Sequence, residues 1–262
     1  MSTLPGLSGT VAIVTGGGNG IGKAIVRKLA DEGALVAIAD INLDAGKAAV
    51  EEVIAAGGQA AAFQHDVTDW TSSFDLVAAV EQRLGPIGVL VNNAGVSRRV
   101  PFLEMDEAEW DRVLDINLKG QFLAARAVLP GMVDRRHGRI VNMSSVTGKK
   151  GFPNFSHYCA SKFAVLGLTQ SLAAEMAPYD VTVNAVCPGI VKTPLHEGIL
   201  EQMASASNAT VEAAWNDFVG MIPSKRPQEP EDIANMVAYL ASDLAKNMTG
   251  CSYHVDGGFV MS

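Results

Sequence analysis

Short apolar runs alternate along the chain with longer stretches in which apolar residues recur every three or four positions. Residues 10–15 form a β-rich run that stops at glycines, and this predicts a buried strand. Ile21, Ile25 and Leu29 then recur at helical spacing as far as Gly33, a residue suited to end a helix. The same reasoning predicts further strands at 34–40, 59–66, 87–92, 139–144, 181–187 and 252–255. It predicts further helices from 42 to the glycines at 57 and 58, at 68–84, 106–135 and 157–177, and from Pro230.

About six alternations of strand and helix predict a parallel sheet that is covered by helices on both faces. We therefore expect an α/β fold, a single-domain doubly wound parallel sheet of about seven strands. No repeat, low-complexity tract or linker interrupts residues 1–262, so one domain is expected over the whole chain. Residues 190–229 are polar and mixed, which favours an insertion over the sheet, and long excursions of this kind are often substrate lids.

Composition narrows the class of protein. Hydrophobic residues make up 48% of the 262 residues and charged residues 18%, which is typical of a compact chain and not of a disordered one. The net charge of -8 makes nucleic acid an unexpected partner, since phosphate binding needs a basic surface. No apolar run is long enough to span a membrane, and the first ten residues do not resemble a secretory signal. A cytoplasmic protein is expected.

The three cysteines, Cys159, Cys187 and Cys251, have no metal-type spacing. Their odd number is typical of a reducing compartment, in which we expect buried thiols that act as small hydrophobes. The five histidines also lack ligand spacing, so no metal site is predicted.

Glycines cluster between the first predicted strand and the first helix, at Gly16, Gly20 and Gly22. Such a loop allows a pyrophosphate to approach backbone amides at the positive end of a helix. A plain strand-to-helix turn is the alternative. Asp40 favours the first interpretation, because it ends the second strand about 20 residues on, where a carboxylate binds the ribose of a dinucleotide in a Rossmann-type fold. This carboxylate would repel a 2′-phosphate, and no Lys or Arg nearby would bind one, so NAD is expected rather than NADP.

Tyr158 and Lys162 lie four residues apart in the predicted helix 157–177, and therefore on one face of it. An ammonium beside a phenol lowers the pKa of the phenol. A tyrosine of this kind can give or take the proton that a carbonyl exchanges while it receives a hydride. Taken alone, this spacing occurs by chance in many helices and more often marks an ordinary amphipathic face.

Several separated motifs together resemble those of the classical short-chain dehydrogenase/reductase family. They are the Gly-x-x-x-Gly-x-Gly spacing at 16, 20 and 22, Asn-Asn-Ala-Gly at 92–95, and Tyr-x-x-x-Lys at 158–162. The motifs occur in the family's order and extend over essentially the whole chain. The family also uses a serine ahead of the tyrosine helix. Ser144 and Ser145 compete for that role, and Ser145 has the usual offset of 13 residues from Tyr158.

The resemblance implies a role for each residue of this group. Ser145 would hold the substrate oxygen, and Tyr158 would act as the acid/base. Lys162 would lower the pKa of Tyr158 and hold the nicotinamide ribose. Asn117 resembles a helix asparagine that anchors a water in the proton path. For Asn117 the alternative is a helix residue that bonds to backbone.

The resemblance also implies a set of NAD contacts. Asp66 and Val67 would contact adenine, although Asp66 is equally suited to cap the next helix and both roles could hold. A stretch from Pro188 to Thr193 would contact the nicotinamide amide. The cofactor-binding residues implied are Gly16, Asn19, Gly20, Ile21, Gly22, Asp40, Ile41, Asp66, Val67, Asn93, Ala94, Gly95, Tyr158, Lys162, Pro188, Gly189, Val191 and Thr193.

The lid region is similar to that of family members acting on polyols, vicinal diols and hydroxyketones, so a small polar secondary alcohol is the substrate expected first. A 3-oxoacyl thioester reductase is the main alternative, less expected because such enzymes usually prefer NADPH. Two basic pairs, Arg98–Arg99 and Lys149–Lys150, would suit an anionic hydroxy acid or, equally, lie solvated in loops. Leu195, His196 and Trp215 are expected at the pocket.

A non-catalytic NAD-binding protein that senses redox state or scaffolds partners is the alternative of another class. The four residues Asn117, Ser145, Tyr158 and Lys162 oppose it, because a scaffold would not need them all.

Assembly is implied by the resemblance alone. Family members commonly pair two long helices, here 106–135 and 157–177, across a twofold axis, with a further contact at the C-terminal strand. We expect a homotetramer, with a dimer second. The helix faces expected to pair carry Leu118, Phe122, Leu129, Phe163, Leu166 and Thr169.

Overall fold

The computed structural model describes residues 3–207 and 209–261. Within them, strands occur at Val11–Thr15 (β1), Leu35–Asp40 (β2), Gln59–Gln64 (β3), Ile87–Asn92 (β4), Gly138–Met143 (β5), Val181–Pro188 (β6) and Ser252–Val255 (β7). Helices occur at Gly20–Asp31 (α1), Leu43–Ala55 (α2), Trp70–Leu84 (α3), Glu107–Leu114 (α4), Gly120–Arg135 (α5), Ser156–Met176 (α6), Pro194–Ser207 (α7), Val211–Met221 (α8) and Pro230–Ala241 (α9). None of these helices is both long enough and apolar enough to cross a membrane.

The strands form one parallel sheet in the order β3-β2-β1-β4-β5-β6-β7. The doubly wound α/β fold predicted from the sequence is confirmed. The direction of winding reverses between β1 and β4, which are neighbours in the sheet. In open sheets of this type, the carboxyl ends of the strands at the reversal form a crevice that binds ligands.

Both faces of the sheet are buried. Val14 and Ile38 face a core that they share with α1, α2 and α9. Their sequence neighbours Ile13 and Ala37 face the opposite core, built with α3, α5 and α6. Because successive strand residues point to opposite faces, a strand buried on both sides reads as a continuous apolar run. This is why the strands were recognisable from the sequence.

The predicted helix 106–135 is interrupted by a π-helical turn at Asp115–Lys119, which separates α4 from α5. Asp106 caps α4 by accepting a hydrogen bond from the Glu109 amide at 2.8 Å. In the described part of the chain, the Glu109 carboxylate does not return a bond to the backbone of Asp106. It accepts instead from the Arg112 guanidinium, at 2.9 and 3.0 Å. Single π turns within α-helices are frequent at functional sites, and this one contains Asn117.

The alternative role of Asp66 as a helix cap is wrong. Its carboxylate accepts hydrogen bonds from the amide and hydroxyl of Thr68, at 2.9 and 2.7 Å, and these bonds lower the pKa of Asp66. The cap of α3 is Asp69, which accepts from the Ser72 amide at 2.5 Å. A cap must directly precede the first helical residue, and the turn made by Asp66 delays the start of α3 to Trp70.

Residues 190–229 leave the sheet and return to it at nearly the same place. The Gln228 amide donates to the Ile190 carbonyl at 2.9 Å, and the Lys192 amide donates to the Gln228 carbonyl at 3.3 Å. Between these anchors lie α7 and α8. The segment is therefore closed at its base by backbone hydrogen bonds, as an insertion over a sheet would be.

The prediction that all three thiols are buried is wrong for one of them. Cys159 and Cys187 are buried, but Cys251 is exposed. Cys251 precedes β7 at the edge of the sheet, and the Asn184 side chain accepts its amide hydrogen bond at 3.2 Å. An edge strand has no second neighbour to cover it, so its flanking side chains reach solvent.

Candidate active site

The crevice between β1 and β4 is held together by side chains from both strand ends. The Thr15 hydroxyl accepts hydrogen bonds from the amides of Asn93 and Ala94, at 3.0 and 3.1 Å. The Asn93 side chain donates to the carbonyls of Thr15 and Gly16, both at 3.0 Å. Asn93 and Ala94 therefore lie beside the glycine loop, as cofactor-contacting residues should. The sequence did not predict this supporting role of Thr15, because a single hydroxyl at the end of a strand does not form a recognisable motif.

The glycine loop has a conformation that other residues would not adopt. Gly16 and Gly20 have φ angles of 62° and 52°, in the left-handed region that favours glycine. A β-carbon on Gly22 would lie 2.1 Å from the Gly16 carbonyl oxygen. Asn19 occupies the cap position of α1, but its side chain accepts no cap hydrogen bond. The first amides of α1 are left without a side-chain cap, which suits an anionic phosphate group.

Asp40 lies directly beside this loop at the end of β2. One of its carboxylate oxygens accepts from the Gly18 amide at 2.9 Å, and the other accepts from the Asn42 amide at 2.9 Å. Each oxygen retains acceptor capacity for a sugar hydroxyl. Ile41 follows and is 68% exposed, so an apolar side chain stands next to the carboxylate. Val67, the other residue expected near adenine, packs closely over Gly120, where a β-carbon would be only 2.9 Å from it.

Ser145, Tyr158 and Lys162 are brought together by β5 and α6. The Lys162 ammonium lies 5.6 Å from the centre of the Tyr158 ring and donates to the Met143 carbonyl at 2.9 Å. The Ser145 hydroxyl hydrogen-bonds the Tyr158 phenol and accepts from the Thr147 amide at 3.1 Å. Ser144, the competing serine, donates instead to the Lys162 carbonyl at 2.8 Å and anchors the helix.

Burial dominates the electrostatics of this cluster. It raises the pKa of Tyr158 to about 12, although the hydrogen bond from Ser145 acts in the opposite direction. Burial also lowers the pKa of Lys162 to about 8. The expected lowering of the Tyr158 pKa by Lys162 is therefore not provided by the protein alone. The ammonium lies over the ring face, and the loss of hydration outweighs its effect.

Asn117 is fully buried in the π turn and links the loop after β4 to α6. Its side-chain oxygen accepts from the Val96 amide at 2.8 Å, and its nitrogen donates to the Val96 carbonyl at 2.9 Å and to the Ser161 hydroxyl at 3.2 Å. The side chain thus has the role given above as the alternative, bonding to backbone. A water anchored at Asn117 stays a prediction.

The cleft in front of Tyr158 is walled mainly by apolar side chains. They come from the loops after β4, β5, β6 and β7 and from α7 and α8, and are Val96, Val146, Phe152, Phe155, Ile190, Leu195, Ile199, Phe218, Met221 and Phe259. The cleft is also lined by residues expected to contact the cofactor, namely Ile21, Asn93, Gly95, Pro188, Gly189, Val191 and Thr193, of which the last four belong to the stretch expected at the nicotinamide. Leu195 and His196 line the cleft as expected, whereas Trp215 is not among its lining residues.

The aromatic wall of the cleft was missed at the sequence level. Phe152 stacks on Phe259 with ring centres 5.9 Å apart and an interplanar angle of 8°. The Lys150 ammonium lies 5.8 Å from the Phe152 ring centre, and Arg98 is close enough to Glu109 to contribute to the lowering of its pKa. The proposal of an anion site at these basic residues stays a hypothesis. Within residues 3–207 and 209–261, no group of His, Cys, Asp and Glu side chains could hold a metal ion.

Comparison with known proteins decides the family. The family model described as short chain dehydrogenase matches residues 10–204 of the chain. The chain belongs to the short-chain dehydrogenase family. The resemblance inferred from the glycine loop and the Tyr158–Lys162 pair is thereby confirmed.

Relatives of this dehydrogenase match it over nearly its full length. It is 39% identical to a 3-oxoacyl-[acyl-carrier-protein] reductase from Staphylococcus epidermidis, over 95% of this chain and 98% of the relative. It is 38% identical to the reductase of the same name from Thermotoga maritima, over 97% and 99%. It is 40% identical to the oxidoreductase UcpA from Salmonella typhimurium, over 96% and 95%.

A solved structure confirms the fold. The crystal structure of gox2181 superposes on this dehydrogenase with a TM-score of 0.89 and 34% identity, covering 96% of each chain. Members of the family are oxidoreductases that bind a nicotinamide cofactor. The uncapped start of α1, the left-handed glycine turn and the Asp40 carboxylate fit the phosphate and ribose groups of such a cofactor.

Proposed function

We propose that this dehydrogenase transfers a hydride between NAD(H) and a secondary alcohol or ketone, with Tyr158 as the acid/base. The observation that carries the proposal is the position of the Ser145–Tyr158–Lys162 cluster in the cleft that also meets Gly95 and Pro188. Ser145 and Tyr158 would hold the oxygen of the reacting carbon. The bound nicotinamide would supply or accept the hydride.

For ketone reduction, the cluster supplies both the proton and a hydrogen bond to the reacting oxygen. With a pKa near 12 in the protein alone, Tyr158 keeps its proton at neutral pH and is ready to donate it as the ketone oxygen gains charge. The Ser145 hydroxyl stabilises the same oxygen. Lys162, held by the Met143 carbonyl, lies against the Tyr158 ring and stabilises the phenolate that remains after donation.

For the substrate, the apolar wall argues against a polyol. A polyol carries a hydroxyl on every carbon, and those turned toward Phe152, Phe155 and Phe218 would lack hydrogen-bond partners even if the few polar side chains of the cleft bound the others. An acyl chain would bury apolar surface against the same wall. The relatives from Staphylococcus epidermidis and Thermotoga maritima are named as reductases of 3-oxoacyl groups, which also supports a substrate with an acyl chain. We therefore place a 3-oxoacyl thioester ahead of the small polar alcohols first expected.

A substrate panel with purified protein tests this proposal. We expect NADH-dependent reduction of 3-oxobutanoyl-CoA with a kcat/KM at least about 100-fold higher than that for NAD-dependent oxidation of sorbitol or glycerol, because a mismatch of polar and apolar groups costs several kcal/mol. Absorbance of NADH at 340 nm reports both reactions. Faster oxidation of a polyol would restore the first expectation. Absence of turnover with every compound would instead favour a non-catalytic NAD-binding protein.

A homotetramer and a cytoplasmic location remain predictions. Two of the residues expected at subunit contacts are unsuitable, because Leu129 and Thr169 are buried within the chain. Phe122 on α5 and Phe163 on α6 are 43% and 47% exposed, and they support pairing of these two helices.

Substitution of these phenylalanines should lower the oligomeric state. We expect Phe122→Asp combined with Phe163→Asp to convert a tetramer into dimers or monomers, because each change places a charge in an apolar contact. Light scattering coupled to size exclusion measures the mass. Ile54→Asp, which changes a 59% exposed side chain on α2, is the matched control and should leave the mass unchanged. A monomeric wild type would refute the assembly.

A further inference from the structure

The cleft contains more polar groups than are needed to hold one reacting oxygen. Ser145 and Tyr158 are committed to that oxygen in the proposed reaction, and Ser144 is bonded to the Lys162 carbonyl. Two other hydroxyls that line the cleft, those of Ser97 and Thr147, are buried and have no hydrogen-bond partner in the described part of the chain. They come from the loops after β4 and β5.

His196 contributes a third uncommitted group, from the start of α7. Its backbone amide donates to the Thr193 hydroxyl at 3.4 Å, which fixes the residue at the base of the helix. Its ring stands edge-on to Phe218, with centres 6.3 Å apart and planes at 84°. Within residues 3–207 and 209–261, no side chain forms a hydrogen bond with the imidazole. The ring is therefore positioned by packing, and its nitrogens are available to a ligand.

Polar side chains that have no hydrogen-bond partner in an apolar cleft indicate that the substrate has a second polar atom besides the reacting oxygen. A buried donor or acceptor without a partner costs about 1–3 kcal/mol, and native proteins keep few of them. Here two such hydroxyls, those of Ser97 and Thr147, line one cleft together with the uncommitted His196 imidazole, among aromatic and aliphatic side chains. A simple alkyl ketone would leave all three unsatisfied. A substrate with a second oxygen would satisfy at least one.

The charge state of His196 indicates whether the second oxygen of the substrate belongs to a neutral carbonyl or to a carboxylate. Burial lowers the pKa of His196 to about 4, and no charged side chain contributes to this shift. The imidazole is therefore neutral at neutral pH, with one N–H donor and one acceptor nitrogen. A neutral N–H suits a neutral carbonyl better than a carboxylate, which would prefer a cation.

We propose that His196 donates a hydrogen bond to a second, unreduced carbonyl oxygen of the substrate and so selects 3-oxo esters and thioesters over simple ketones. This inference rests on the proposed ketone reduction and names the substrate feature that the 190–229 segment recognises. His196 is a specificity-determining residue on this view. The unpartnered hydroxyls of Ser97 and Thr147, from the loops after β4 and β5, line the same cleft and are further donors available to the substrate.

A pair of substrates matched in chain length tests the proposal. Ethyl 3-oxobutanoate and heptan-2-one each have seven chain atoms and one reducible ketone, but only the first has a second carbonyl. We expect His196→Leu to lower kcat/KM for ethyl 3-oxobutanoate by about 10- to 100-fold and to change that for heptan-2-one by less than about threefold. His196→Gln retains an N–H donor and should keep most of the preference. NADH consumption measures each rate.

The outcomes separate the inference from the proposed function. Equal losses with both substrates would give His196 a purely structural role and overturn the inference, as would an unchanged preference in His196→Leu. Calorimetric titration of ethyl 3-hydroxybutanoate into the NADH complex provides a readout without turnover, and there the dissociation constant should rise at least about tenfold in His196→Leu. Wild type that reduces neither ketone would refute the proposed function, while the titration would still decide the role of His196.

Discussion

Tyr158→Phe is expected to lower kcat for ketone reduction by about 100- to 10,000-fold, the usual contribution of a positioned general acid. The substitution removes one hydroxyl and leaves the ring that Lys162 contacts at 5.6 Å. The dissociation constant of NADH should therefore change by less than about threefold. Because the phenol also bonds Ser145, a modest increase in KM is expected as well.

Stopped-flow mixing of the NADH complex with substrate measures the chemical step directly, and fluorescence titration measures NADH binding. Tyr179→Phe is the matched control: Tyr179 is 38% exposed, follows α6 and does not line the cleft, so its loss should leave both quantities unchanged. Turnover of Tyr158→Phe within tenfold of wild type would mean that water or another group supplies the proton. The assignment of Tyr158 would then be wrong.

The sequence predicted the fold well because its signals are local. The central strands β1, β2, β4, β5 and β6 are buried on both faces, so each contains a recognisable apolar run. The start of a helix was harder to predict where two acidic residues could each serve as its N-cap. Asp66 and Asp69 both precede α3, and only the path of the chain after β3 determines that Asp69 is the cap.

The candidate site was predicted where its residues are close along the chain. Ser145, Tyr158 and Lys162 lie within 18 residues of one another, and the resemblance to the family's motifs identified them as one group. The stack of Phe152 on Phe259 joins residues 107 positions apart, and no local pattern records such a contact. The pKa of Tyr158 was misjudged for a related reason. The neighbouring lysine is visible in the sequence, but the depth of burial is a property of the folded chain.

The proposed preference for NAD(H) over NADP(H) rests on the Asp40 carboxylate, and its charge can be removed with little change of shape. We expect Asp40→Asn to raise the ratio of kcat/KM with NADPH to kcat/KM with NADH by about 100- to 1000-fold. A carboxylate about 4 Å from a phosphate costs on the order of 4 kcal/mol at an effective dielectric constant of 20, and each 1.4 kcal/mol corresponds to a factor of ten.

The asparagine oxygen can still accept the hydrogen bond from the Gly18 amide, now 2.9 Å long, so the glycine loop should keep its conformation, while the bond from the exposed Asn42 amide is lost to water. Asp44→Asn removes the same charge from an exposed position on α2 and should leave the ratio within about twofold. Raising the salt concentration from 0.05 to 0.5 M should weaken the discrimination of wild type more than that of Asp40→Asn, since salt screens charge repulsion. A wild-type enzyme that prefers NADPH would show that the Asp40 carboxylate, bonded to the amides of Gly18 and Asn42, does not reach the cofactor phosphate, and the proposal of NAD(H) would be abandoned.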